Sequence, residues 1–221
     1  MLIFIPAILL GLGAAIIKSR FAPQRFLIPV WKSGWLVPAA FLFMLVVTRP
    51  QIFQLTTLDQ SWAIAFLSIS QLFLLLFVFL NLRISGLWIL GLGFLLNMAC
   101  MQANGGLMPV QPERIPYILN NPDVTTETYL GLRFGDSKDI VIDQQETKLW
   151  FLSDRFPLPE KFPYRVVFSL GDVVIGFGLF FTLVGLSPGK FIDPVGAPYE
   201  YPLSKTRSIG TKEQTSERYS L

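Results

Sequence analysis

Asp172 is the residue of this chain best placed to do chemistry. It interrupts an otherwise apolar run at 166–186, and an ionisable group there is expensive and faces the protein interior rather than lipid. Two roles suit it: a proton or cation site, or a buried polar anchor satisfied by Asn97, Arg165 or backbone donors of the preceding loop. Asn97 and Asn104 are the groups that could join Asp172 in a polar pocket at a membrane surface. The run Ala103-Asn104-Gly105-Gly106-Leu107-Met108-Pro109-Val110 also has a purely structural reading. Gly105 and Gly106 supply the left-handed conformations of a helix C-cap and sharp turn, and Pro109 prevents continuation. Arg155, in Asp154-Arg155-Phe156-Pro157, could reach Asp172 or a lipid phosphate, although an adjacent acid and base most often form only a weak local pair. Gln71 and Asn81 suit hydrogen bonding between helices better than ligand binding.

Much chemistry is excluded by what is missing. The chain has no histidine, so it supplies no His-ligated haem or chlorophyll, no ordinary zinc site and no Ser-His-Asp triad. Its single cysteine, Cys100, sits in an apolar block, cannot form an internal disulfide and reads as a small core residue. There is no Gly-rich phosphate loop, no metal-ligand cluster and no nucleophile beside a base. No cofactor is therefore expected. A net charge of +3, spread along the chain, makes a nucleic-acid partner unexpected.

The elements that must position these residues are helices in a bilayer. Of 221 residues, 52% are hydrophobic and only 15% charged, and the apolar residues fall in long blocks. The expected class is an all-α membrane protein with about five transmembrane helices, at 1–17, 35–47, 62–80, 86–101 and 166–186. The second is short unless it extends back and Lys32 snorkels to the interface. The first resembles a signal peptide but has its basic residues, Lys18 and Arg20, after the apolar run, so it reads as a retained span. Gly11 and Ala15 give it a small-residue face for close helix packing.

Lys18, Arg20, Arg25 and Lys32 crowd the first connection, whereas the second carries only Arg49 and the third Arg83. This bias puts the N-terminus outside and the C-terminus in the cytoplasm of a bacterial-type inner membrane. Four stretches follow: helices at 1–101, an extracytoplasmic loop at 102–164, a fifth helix at 165–186 and a polar tail at 187–221. The loop carries two strand-like runs, 139–142 and 148–152, which suggest a small β-hairpin. An isolated hairpin is marginal in water, so it must lie on the helix bundle or a partner. The Ser/Thr-rich tail is expected to order only on a partner.

Taken in order, Asn97, Ala103-Asn104-Gly105-Gly106 with Met108-Pro109-Val110, Asp154-Arg155 before prolines, and Ser169-Leu170-Gly171-Asp172 resemble a bacterial integral-membrane family known only as a domain of unknown function. The resemblance spans about residues 1–186 and implies a five-span helical protein, with no activity to carry over.

The leading expectation is a non-catalytic accessory or structural subunit of a larger membrane complex, with the lipid bilayer and other membrane subunits as partners. The alternatives are a small ion or solute transporter using Asp172, and an outer-face enzyme acting on lipid or an envelope precursor. The enzyme reading requires a lipid-accessible pocket with at least two carboxylates near one another.

Overall fold

A computed structural model describes residues 4–21, 30–53, 59–162 and 164–185. Arg25 and the tail at 187–221, with the readings placed on them, lie outside these residues. Five apolar helices overlap the expected blocks: α1 (Ile5–Phe21), α2 (Leu36–Thr48), α3 (Gln60–Leu80), α4 (Leu87–Ala103) and, after the short α5 (Ile115–Leu119), α6 (Leu170–Gly185). Among the described residues only α3, at 21 residues, is long and apolar enough to cross a bilayer by itself; the other four are shorter apolar helices.

α3 packs on α2 and α4, α4 on α6, and α6 on α1. The row therefore runs α2-α3-α4-α6-α1, with α4 in the middle. Ala7 lies against Gly176, and Gly11 against Phe180 and Leu183, so α1 and α6 run in the same direction. Gly11 and Ala15 are both buried, as expected of a small-residue packing face. α4 and α6 approach closely where a glycine of one helix faces the other. A Cβ on Gly93 would come within 2.6 Å of Ile175 Cγ1 and 2.7 Å of its backbone nitrogen.

The segment between α4 and α6 folds into a cap with its own small core of Val110, Ile115 and Val141. β1 (Met108–Val110) is buried along its whole length and pairs in parallel with β2 (Asp139–Val141). β3 (Phe156–Pro157) pairs antiparallel with β4 (Val167–Phe168). The hairpin expected from 139–142 and 148–152 does not form. The first run is taken up by β1, which offers it a buried partner. The second bends at Leu149, whose φ is +52°, into a 3₁₀ turn at Trp150–Leu152. A strand paired against a core is stabler than a hairpin standing in solvent, and that decides the pairing.

The cap is fastened to one end of the bundle. Arg133 Nη2 donates to the Val47 carbonyl at 3.0 Å, at the end of α2. Gln51 Nε2, just beyond α2, donates to Asp136 Oδ2 at 2.7 Å. Asn104 closes α4 and holds Lys148 through paired bonds, donating to its carbonyl at 2.8 Å and accepting from its N–H at 2.9 Å. Beneath these contacts Val47, Leu67, Cys100, Met101, Met108 and Leu152 share one apolar cluster, which joins α2, α3 and α4 to the cap.

Candidate functional site

α6 begins at Leu170, so Asp172 lies in its first turn rather than about two turns into a span that starts at 166. The difference arises because Val167 and Phe168 are taken by β4. At that position Asp172 completes a capping box. Its N–H donates to Ser169 Oγ at 3.0 Å, and its Oδ2 accepts from the Ser169 N–H at 3.1 Å. Asn97 of α4 ties into the same corner, donating from Nδ2 to Asp172 Oδ1 at 2.9 Å and accepting from Ser169 Oγ at 2.8 Å. Gly171 makes this approach sterically feasible, because a Cβ there would run into the Asn97 amide. Both carboxylate oxygens of Asp172 are thus engaged, and the residue anchors the α4–α6 junction.

The other expected members of the pocket go elsewhere. Asn104 serves the α4 terminus and Lys148. Gly105 and Gly106 have φ of +81° and +93°, the left-handed turn expected of them, and Gly106 N–H returns to the Met101 carbonyl at 2.7 Å. Pro109 enters β1, and its carbonyl accepts from the Asp154 N–H at 3.0 Å. Arg155 does not reach Asp172. Its guanidinium lies 4.2 Å from the Trp150 ring centroid and 5.2 Å from that of Phe156, a cation–π arrangement on the side of the cap. Arg165, a second suggested partner for Asp172, instead lies 3.9 Å from Glu160 and over the Tyr117 ring.

The charge that Asp154 meets is Lys138, which the sequence analysis did not single out. Lys138 Nζ donates to Asp154 Oδ2 at 2.5 Å and to Asp139 Oδ1 at 3.1 Å. Lys138 immediately precedes β2, and Asp154 is held beside β1 by a bridge to Val110, so the parallel pairing of two distant segments creates the contact. Burial works against the Lys138 ammonium, but Asp139, Asp154 and Asp172 outweigh it and hold its proton more tightly than in an ordinary lysine. Burial is also the largest influence on Asp154 and pushes its carboxyl up. Lys138 pulls it back, while Asp139 and Asp172 add to the rise and leave it at about 8.

Lys138, Asp139, Asp154 and Asp172 close one end of a cavity of about 870 Å³. α4 forms its back wall, with α2 and α3 on one side and α6 on the other; α2 and α6 barely touch. Leu87 and Met101 both line it, and at a rise of 1.5 Å per residue their separation of 14 positions along α4 gives it a length of about 21 Å. Away from the cap its walls are apolar, formed by side chains such as Phe41, Leu74, Phe77, Phe94 and Ile175. Among the described residues, three buried polar side-chain atoms have no hydrogen-bond partner: Gln71 Oε1, Asp154 Oδ1 and Arg114 Nε. The first two belong to residues that line this cavity. Gln71 otherwise joins α3 to α4 by donating to Met101 Sδ at 2.6 Å, the interhelical role its position suggested. Asn81 grips the backbone of Lys32 ahead of α2. No group of three or more His, Cys, Asp or Glu side chains among the described residues could hold a metal ion.

Residues 29–184, more than half of the chain, match DUF5317, a family of unknown function. The chain belongs to this family. The match begins after α1, later than the resemblance at about 1–186 suggested, and it contains Asn97, the turn at Gly105 and Gly106, Asp154 and Asp172. No curated protein and no solved structure matches the chain.

Proposed function

We propose that this protein is a five-span membrane protein that binds a long-chain amphiphile between its helices, with the polar end of the ligand at the cap. The observation that carries this reading is the cavity itself. Its volume lies in the range of small-molecule sites, roughly 300–1,000 Å³, and it combines an apolar body with a few convergent polar groups. Asp139, Asp154 and Asp172 line its cap end, which supplies the grouped carboxyl groups, one part of what the outer-face enzyme reading requires.

Several features support the membrane setting. Large apolar side chains point outward along the helices, with Leu10 66% and Phe79 70% exposed. Trp35, Trp62 and Trp88 stand at or beside the first residues of α2, α3 and α4 and are exposed, as in the aromatic belts of membrane proteins. With the cap outside, Lys18 near the end of α1 and Lys32 ahead of α2 fall inside, in keeping with the positive-inside bias.

An accessory-subunit role draws on the same outward apolar faces, which would suit partner helices as well as lipid. Transport through Asp172 alone is less well supported, because both of its carboxylate oxygens are already committed to Asn97 and Ser169. A photoactivatable alkyl probe, incorporated into membranes containing the protein, tests the binding reading. Label on inward-facing positions such as Leu74, Phe94 and Ile175 is the expected result. Label confined to outward positions such as Phe79, Trp88 and Phe177 would contradict it.

A further inference from the structure

We propose that Arg155 receives the phosphate of an outer-leaflet phospholipid headgroup, at a site on the outside of the cap and separate from the cavity. This goes beyond the amphiphile reading above and rests only on its membrane setting. The first support is position. The Arg155 N–H donates to the Phe168 carbonyl at 3.2 Å, and Phe156 pairs with Phe168 in the same short ladder. Phe168 lies two residues before Leu170, the first residue of α6, so Arg155 is pinned at the level where that helix begins. The outward stripe of α6 starts there, with Leu170, Val173 and Phe177 all exposed. The turn at Trp150–Leu152 packs against α4 and α6, and Leu149, Trp150 and Phe151 are exposed in a row. Apolar helix faces that end in exposed aromatics and an arginine suit the boundary between hydrocarbon and headgroups.

The second support is the state of the guanidinium. The Trp150 and Phe156 rings hold it, and Phe156 packs in turn against the Phe168 ring, with centroids 5.7 Å apart. A cation–π contact fixes the group without consuming an N–H donor. Among the described residues the guanidinium makes no hydrogen bond and no ion pair. None of its nitrogens is among the buried polar atoms that lack a partner, so its free N–H groups reach the surface. The neighbouring Asp154 does not neutralise it, being 2% exposed and turned inward to Lys138. A planar fork of donors held by aromatic rings, with no acid beside it, matches the bidentate geometry of a phosphate. Arg155 does not line the cavity, so a lipid held here stands outside the bundle, with its chains in the surrounding bilayer.

The test uses the full chain purified in a non-ionic detergent. Dioleoyl phosphatidylglycerol and dioleoylglycerol, which differ by the phosphate-bearing headgroup, are added in equal amounts, and the retained lipids are counted by native mass spectrometry. The phosphate-bearing lipid should be retained over the diacylglycerol by about tenfold, the contribution of one charge-assisted hydrogen bond. Arg155→Gln should erase that preference. Arg155→Lys keeps the charge but not the planar fork and should show only part of it, and this variant serves if Arg155→Gln fails to fold. A preference untouched by both substitutions would overturn the assignment. So would one removed by Leu74→Trp alone, because the phosphate would then sit in the cavity. Displacement of the lipid by an equal amount of inorganic phosphate would overturn the lipid as the source of the headgroup. Equal retention of the two lipids would overturn the phosphate site and leave the membrane setting in place, whereas retention of neither would overturn both.

Discussion

At the residue scale the account turns on Asp154 and Lys138. Asp154 binds its proton more tightly in the folded chain than in the unfolded one, with its carboxyl raised from 3.8 to about 8. Across that window the folded state holds more protons, so stability falls as pH rises and levels off above the upper value. Lys138 stays protonated throughout and adds no slope. Asp139, Asp172 and the Cys100 thiol complete the charged and titratable groups around Asp154. We expect the melting temperature in detergent to decline between pH 5 and pH 8 and the decline to be much shallower in Asp154→Asn. An equal decline in both would remove Asp154 as its source. Ser169 offers a second test. Ser169→Ala removes the cap of α6 and the Asn97 contact together, and should cost about 1–2 kcal/mol, or roughly 2–4 °C per kcal/mol in a chain of this size. An unchanged melting temperature would mean that the α4–α6 junction does not depend on that corner.

Asp172 and Asn97 were legible in the sequence because a charge and an amide inside apolar runs stand out against their surroundings. Lys138 was not. It lies in a polar stretch where charges are common, and its contact with Asp154 arises only through a parallel pairing between segments far apart in the chain. No local pattern announces such a contact. The free oxygen of Gln71 was equally hidden, since a glutamine in an apolar helix reads as an interhelical donor whether or not its carbonyl is satisfied.

At the scale of elements the five apolar helices were readable from blocks of hydropathy, and the end of α4 from Asn104-Gly105-Gly106. The hairpin was misread because the run at 139–142 has the same alternation whichever strand it pairs with, and the buried β1 was too short and too proline-marked to register as a strand. The start of α6 was misplaced because Val166, Val167 and Phe168 are as apolar as a helix interior, and only the capping box at Ser169 marks the boundary. The α4–α6 contact makes a prediction that belongs to this scale. Gly93→Ala places a methyl 2.6 Å from Ile175 Cγ1 and should separate the helices, seen as loss of a monodisperse folded species. Gly13→Ala has nothing within 4 Å of the new Cβ and should be tolerated, and it is slightly favourable for helix α1. Equal behaviour of the two variants would contradict the packing described.

At the scale of the whole molecule, the bundle and the cap form one device, with an apolar cavity held open between helices and a charged end held over it by Arg133, Asn104 and Gln51. The proposed orientation is open to direct labelling. In a Cys100→Ala background, Gln145→Cys should react with an impermeant maleimide from outside intact cells, and Ser85→Cys only after the membrane is breached. The reverse pattern would invert the topology. Gentle purification from the native membrane followed by native mass spectrometry shows whether a chain-bearing molecule occupies the cavity. One small amphiphile bound per chain is expected, with retention reduced in Leu74→Trp, which narrows the cavity while leaving the cap untouched. A protein that carries no such molecule, or retains it equally in Leu74→Trp, would contradict the account. Fixed polypeptide partners in place of a lipid would return the accessory-subunit reading to first place.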